Sequence, residues 1–151
     1  MRYWIAAVLI VIAAPASGQL KSQSKPVPVF VSQSGKDAVG QALAYAVREE
    51  LRRSEGYEVA VARDALFTIG IVSLDAALRD DDEGHWSAVA VTYTMTNLFP
   101  YVASNPQTWY QIYLTTTVLT VGRNRVDAVA KNIVADLDSE VQGYRDAASI
   151  K

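Results

Sequence analysis

Residues Arg79 to Trp86 read RDDDEGHW and bring four carboxylates beside the only histidine of the chain. Such a set could hold a hard divalent cation, ligate zinc through His85, or move a proton between Asp or Glu and imidazole. The spacing disfavours all three. Calcium takes about six to eight oxygens converging on one ion, whereas consecutive carboxylates in an extended loop splay apart. Counted from Asp80 as the first position of a calcium loop, the fifth position falls on Gly84. His85 has no second His and no Cys to complete a zinc set. The stretch therefore reads as the solvated tip of a hairpin loop, Ala76 to Gly84, whose charge also discourages edge pairing. No metal and no cofactor are expected.

Two other stretches mimic catalytic motifs. SQSGKD, Ser32 to Asp37, has the Gly-Lys of a phosphate loop, but Phe30 stands where the first glycine is needed and Asp37 where Ser or Thr should follow the lysine. It reads instead as a helix start, with Ser34 as N-cap and Asp37 three residues later. Ser22 and Lys25 share the spacing of acyl-transfer nucleophiles, yet they lie in a polar linker without the companion motifs. A single histidine and no cysteine leave few routes to a nucleophilic triad. The expectation is a non-enzymatic protein. The enzyme alternative is a carboxylate-dependent hydrolase, with Asp64 and Asp75 as a pair that could converge.

The elements follow from periodicity. PVPVFVS, Pro26 to Ser32, predicts a strand with its prolines at the entry. Val39, Leu43, Ala46, Val47 and Leu51 recur at helical spacing up to Gly56, the residue expected to end that helix. Tyr57 to Val61 is a short strand. Three longer runs alternate with period two: Phe67, Ile69 and Ile71; then Val89, Val91, Tyr93 and Met95; then Tyr110, Ile112, Leu114 and Val118. Asn124, as an N-cap, opens a last helix with the apolar stripe Val126, Val129, Ala130, Ile133, Val134, Leu137, Val141 and Tyr144.

The amino-terminal stretch stands apart. Arg2, an apolar run from Trp4 to Ala14 and then small residues make the layout of a secretory signal peptide, cut before Ser17 or Gln19. The run is short against the roughly 20 residues of a membrane span. The expected organisation is a signal at 1–18, a linker at 19–26, one domain at 27–146 and a tail at 147–151, in the periplasm or secreted, without stable membrane insertion once the signal is removed. With no cysteine, neither a disulfide nor an acylated cysteine is available. A net charge of -2 with both signs scattered disfavours nucleic acid as a partner.

The order strand-helix-strand, then three more strands and a helix, predicts an α+β two-layer sandwich. It has a mixed five-stranded sheet with a parallel pair from the first crossover and both helices on one face. That arrangement, over about residues 27 to 145, resembles the amino-terminal domain of TolB and the periplasmic domains of curli-secretion-type outer-membrane assembly proteins. The resemblance lies in the architecture and implies an envelope binding or assembly role. It transfers no functional residue, and the lipoproteins of that group carry an acylated cysteine absent here.

The other sheet face supplies the candidate binding residues. If Ile71 faces Val89, Phe67 faces Tyr93, Met95 faces Ile112 and Val89 faces Val118, the apolar sets fall together under the helices. Thr92, Thr115, Thr117 and Leu119 then lie on the open face, where Gly70, Ala90 and Thr117 form a shallow middle between Trp86 at one end and Trp109 with Tyr113 at the other. Phe99 and Tyr101, in the loop Phe99 to Gln107, are a second candidate as a presented binding loop. Tryptophan and tyrosine are enriched at recognition hot spots. The expected partner is a protein or envelope component; a structural subunit that assembles through its sheet as a homo-oligomer is the further alternative.

Overall fold

A computed structural model describes residues 25–76, 85–97 and 110–149, with side chains described except at 97, 110 and 147–149. β1 (Val27–Ser34) leads through Gly35 into α1 (Ala38–Arg53), followed by β2 (Tyr57–Val59) and a short 3-10 turn at Ala62–Asp64. β3 (Phe67–Asp75), β4 (Trp86–Asn97) and β5 (Tyr110–Gly122) come next, and a 3-10 turn at Arg123–Arg125 opens α2 (Val126–Ser149). The sheet order is β2-β1-β3-β4-β5. β1 is parallel to β2 and to β3, while β3–β4 and β4–β5 are antiparallel. This is the α+β sandwich that the periodicity predicts.

The core lies between one sheet face and the two helices. Val29, Val31, Phe67, Ile69, Ile71, Val89, Val91, Tyr93 and Met95 are buried from the sheet. Val39, Leu43, Val47 and Leu51 meet them from α1, and Ala130, Ile133, Leu137 and Val141 from α2. The strands alternate because residues two apart share a face, and the helices show spacings of three and four because one stripe must turn inward.

Local chemistry departs from the sequence reading at both ends of α1. The N-cap is Asp37, not Ser34, which remains the last residue of β1. The Asp37 carboxylate accepts from the Gly40 N–H at 2.7 Å and satisfies a donor that has no partner within the helix. Between strand and helix, Gly35 has φ of +124°, and a Cβ there would stand 2.3 Å from the Ser73 carbonyl, so only glycine fits this reversal. The helix ends at Ser54, whose N–H donates to Leu51 at 3.2 Å; Gly56 follows in a turn without positive φ. Asn124 falls inside the 3-10 turn before α2, and the second strand stops at Val59 rather than Val61.

Two registers also differ. β3 and β4 are offset by two residues from the expected alignment, with Ile71 opposite Val91 and Phe67 opposite Met95. On β4–β5, Met95 does face Ile112, but a bulge follows: Thr94 pairs with Tyr113, Tyr93 with Thr115, and Leu114 between them has no partner. Beyond it Val89 faces Leu119, not Val118. The extra residue changes which β5 side chains look toward the helices.

Candidate functional site

The bulge redraws the open face. Thr115, Thr117 and Leu119 sit opposite Tyr93, Val91 and Val89, which are buried core residues, and so they belong to the helix side. Thr116, Val118 and Thr120 take their places on the open side. Across the sheet the open rows are Phe30–Thr68–Thr94–Tyr113, Ser32–Gly70–Thr92–Thr116 and Ser34–Val72–Ala90–Val118. Leu74, Ala88 and Thr120 form the next row, and Trp86 opposite Gly122 follows.

The row of small residues expected as Gly70, Ala90 and Thr117 is instead Ser32, Gly70, Thr92 and Thr116. The Thr92 and Thr116 hydroxyls meet at 2.9 Å and close this row over with a hydrogen bond. To one side the surface is apolar: Val72 (52% exposed), Val118 (75%), Leu74 (69%) and Trp86 (47%). To the other stands Tyr113, 62% exposed. Five of the eight large hydrophobic residues recorded as exposed among the described residues therefore share one face; Tyr45, Val61 and Tyr144 lie elsewhere. At Gly122 a Cβ would come within 2.9 Å of the Trp86 ring, so the indole lies close against the bare glycine backbone.

Of the candidates named from sequence, Trp86, Thr92 and Tyr113 share this face and Thr115 does not. Trp109, Phe99, Tyr101, the acidic tip and Ser22 lie outside the described residues. His85 is exposed at the start of β4. Asp64 and Asp75 do not converge: one precedes β3 and the other ends it. A strand of that length separates them by roughly 25 Å or more, against about 5–10 Å for paired glycosidase carboxylates.

One polar constellation escaped the sequence reading. Ser73 and Ser87, both almost wholly buried, donate to the two oxygens of Asp37, at 2.6 Å to Oδ1 and 2.5 Å to Oδ2. Burial raises the Asp37 pKa, but the bonds from Ser73, Ser87 and Gly40 outweigh it and hold the group below its ordinary value of 3.8. An ionised carboxylate that accepts from Gly40, Ser73 and Ser87 ties the start of α1 to β3 and β4, and no histidine or lysine contacts either serine among the described residues. The signal was available: Ser73 and Ser87 occupy core-facing positions in runs otherwise filled by Phe67, Ile69, Ile71, Val89 and Val91. Between the helices, a groove of about 560 Å³ is lined by Tyr45, Glu49, Arg53, Arg123, Asp127 and Lys131. Its charges are of both signs, three acidic with Glu50 and three basic. No cluster of three or more His, Cys, Asp or Glu suited to a metal occurs among the described residues, and no described helix is long and apolar enough to cross a membrane.

No protein-family model matches this sequence, so the TolB- and curli-type resemblance gains no family-level support, and no curated protein matches it. Among solved structures, the chain is similar to the crystal structure of rare lipoprotein B from Shewanella oneidensis. Identity is 12%, the TM-score is 0.35, and the alignment covers 78% of this chain and 98% of that one. At that level the likeness transfers neither a residue nor a function.

Proposed function

We propose that this chain is an exported, non-enzymatic accessory module of the cell envelope that recognises a protein or envelope component through its open sheet face. The observation that carries this reading is the gathering of Val72, Leu74, Trp86, Tyr113 and Val118 on the face opposite the helices. Scattered exposed hydrophobics need no explanation, but Val72, Leu74, Trp86 and Val118 gathered on one side of a threonine row, with Tyr113 on its other side, are a usual form of an interaction site. The sequence from Trp4 to Ala14, followed by small residues, supports export. The half-buried Asp37 carboxylate is accounted for by the fold, since Gly40, Ser73 and Ser87 all donate to it, and this agrees with a non-catalytic reading.

Capture from envelope extract by the immobilised chain tests the reading. A Leu74→Ser, Tyr113→Ala variant should lose the captured partner while its circular dichroism stays native. Tyr45→Ala, exposed on α1 and away from the open face, should retain it. Equal capture by all three proteins would overturn the assignment of the face.

A further inference from the structure

The two edges of the sheet are protected unequally. At the β2 edge the outer strand has three residues, and beyond it Arg48 of α1 reaches over β1, its Nη2 donating to the Val31 carbonyl at 2.9 Å. The Val29 carbonyl on that side already accepts from Ala60 at 2.8 Å. A short strand and an inserted cation are usual protections of a sheet edge. The opposite edge is β5: thirteen residues, Tyr110–Gly122, with no charged residue and no proline among them.

Which β5 groups β4 leaves unpaired follows from the alternation of an antiparallel ladder. The Ala76 N–H donates to the Trp86 carbonyl at 3.0 Å, and the Arg123 N–H donates to the His85 carbonyl at 3.0 Å. Even-numbered residues at that end of β4 thus direct their backbone toward β3, and odd-numbered ones toward β5. Thr115, Thr117, Leu119 and Val121, opposite Tyr93, Val91, Val89 and Ser87, bond inward. Thr116, Val118 and Thr120 turn their N–H and C=O groups outward. This regular stretch is bounded by the unpaired Leu114 on one side and by Gly122, where the strand ends, on the other. Val118 lies midway between them.

We propose that β5 pairs antiparallel with β5 of a second copy of this chain, about a two-fold axis at Val118, joining the two sheets into one. In this register Val118 meets its equivalent, Thr116 meets Thr120 of the second copy, and Thr117 meets Leu119 of the second copy. The outward groups of these pairs close about six backbone hydrogen bonds. A second copy fits because Val118, at the centre of the regular stretch, itself directs its backbone outward, so that the ladder can close on itself about a two-fold axis as an isologous contact requires, and because no like charges are brought opposite one another. The proposal concerns the backbone edge; Val118 also lies on the open face, but self-association of the purified chain is read without any other partner and so is tested separately from recognition by the face.

Sedimentation of the exported chain should show a dimer. Val118 is 75% exposed, so Val118→Lys and Val118→Asp should keep the fold by circular dichroism. Each should weaken self-association about tenfold or more, because like charges then meet at the axis, and an equimolar mixture of the two should restore the dimer. In this cysteine-free chain, Val118→Cys should oxidise to a linked dimer, the Cα atoms of such a pair being about 5.5 Å apart. Tyr113→Cys should not, because its equivalents stand roughly 33 Å apart along the paired strands. A monomeric wild type, a dimer indifferent to both charged variants, or a mixture no more associated than its components would overturn the proposal. So would a monomer whose Thr116, Val118 and Thr120 amides are protected from hydrogen exchange, since another segment of the same chain would then cover the edge.

Discussion

The Ser73 hydroxyl donates to Oδ1 of Asp37 at 2.6 Å, binding the first turn of α1 to the end of β3 through a side chain that also caps the helix. With Ser87 on the other oxygen, one carboxylate joins α1, β3 and β4. The contact explains why two serines sit in an otherwise apolar layer: each has a charged acceptor, so neither hydroxyl is buried without a partner.

Asp37→Ala should therefore lower stability at neutral pH by about 1–3 kcal/mol, the cost of leaving buried donors unsatisfied together with the lost cap. The pH dependence has a definite sign. Because the folded-state pKa of Asp37 lies below its ordinary 3.8, its contribution is complete above that value and is lost as pH falls through the folded value. Urea midpoints of wild type and variant should differ most near pH 7 and converge below about pH 4. A constant difference across that range would show that the carboxylate charge is not what binds the serines.

The same contact inverts an ordinary helix-propensity expectation. Glycine to alanine inside a helix normally stabilises by up to about 1 kcal/mol. At Gly40 a Cβ would stand 1.8 Å from the Ser73 hydroxyl and 2.4 Å from its Cβ, inside that contact, whereas at Gly143 on α2 it would meet nothing within 4 Å. Gly40→Ala should destabilise by about 1–3 kcal/mol through overpacking, while Gly143→Ala should stabilise by about 0.4–1 kcal/mol. Thermal melts of the two variants should move in opposite directions; a rise for Gly40→Ala would mean that α1 does not approach Ser73 this closely.

Faces were legible in the sequence where registers were not. The period-two sets Phe67, Ile69, Ile71 and Val89, Val91, Tyr93, Met95 are all buried, as their alternation requires. Sliding β3 against β4 by two residues leaves every one of them on the same face, so hydrophobic pattern alone cannot choose between Val89 and Val91 as the partner of Ile71. The bulge at Leu114 lies in a run of apolar residues and threonines in which no glycine marks it, and it reverses the parity on which the places of Thr115, Thr117 and Leu119 rested. Trp86, Thr92 and Tyr113 kept their predicted face because the pattern of β4 is unbroken and Tyr113 precedes the bulge.

Leu137 lies at the centre of the α2 stripe and is fully buried. Leu137→Ala should lower stability by about 2–5 kcal/mol, the range for emptying such a site in a packed core. Denaturant titration at neutral pH measures this directly. A midpoint within error of wild type would mean that α2 does not close the core.

At alkaline pH, two tyrosines should resist ionisation. The Tyr93 hydroxyl donates to the Ile133 carbonyl at 3.1 Å from within the core, and that of Tyr57 donates to Asp138, tying β2 to α2. Burial is the main cause that pushes both pKa values above the ordinary 10.0, with the nearby Asp136 and Glu140 adding to it for Tyr93 and Asp138 for Tyr57. A raised folded-state pKa means that the stabilisation is complete below the unfolded value and is lost as pH rises through the folded one. Stability should thus begin to fall above about pH 10, with these two phenols titrating only as the fold opens. In Tyr57→Phe, Tyr93→Phe the late step of the tyrosinate absorbance should vanish and the alkaline fall in the urea midpoint should shrink. If the double variant keeps the late step, the resistant phenols belong to other tyrosines and neither hydroxyl holds the helix to the sheet.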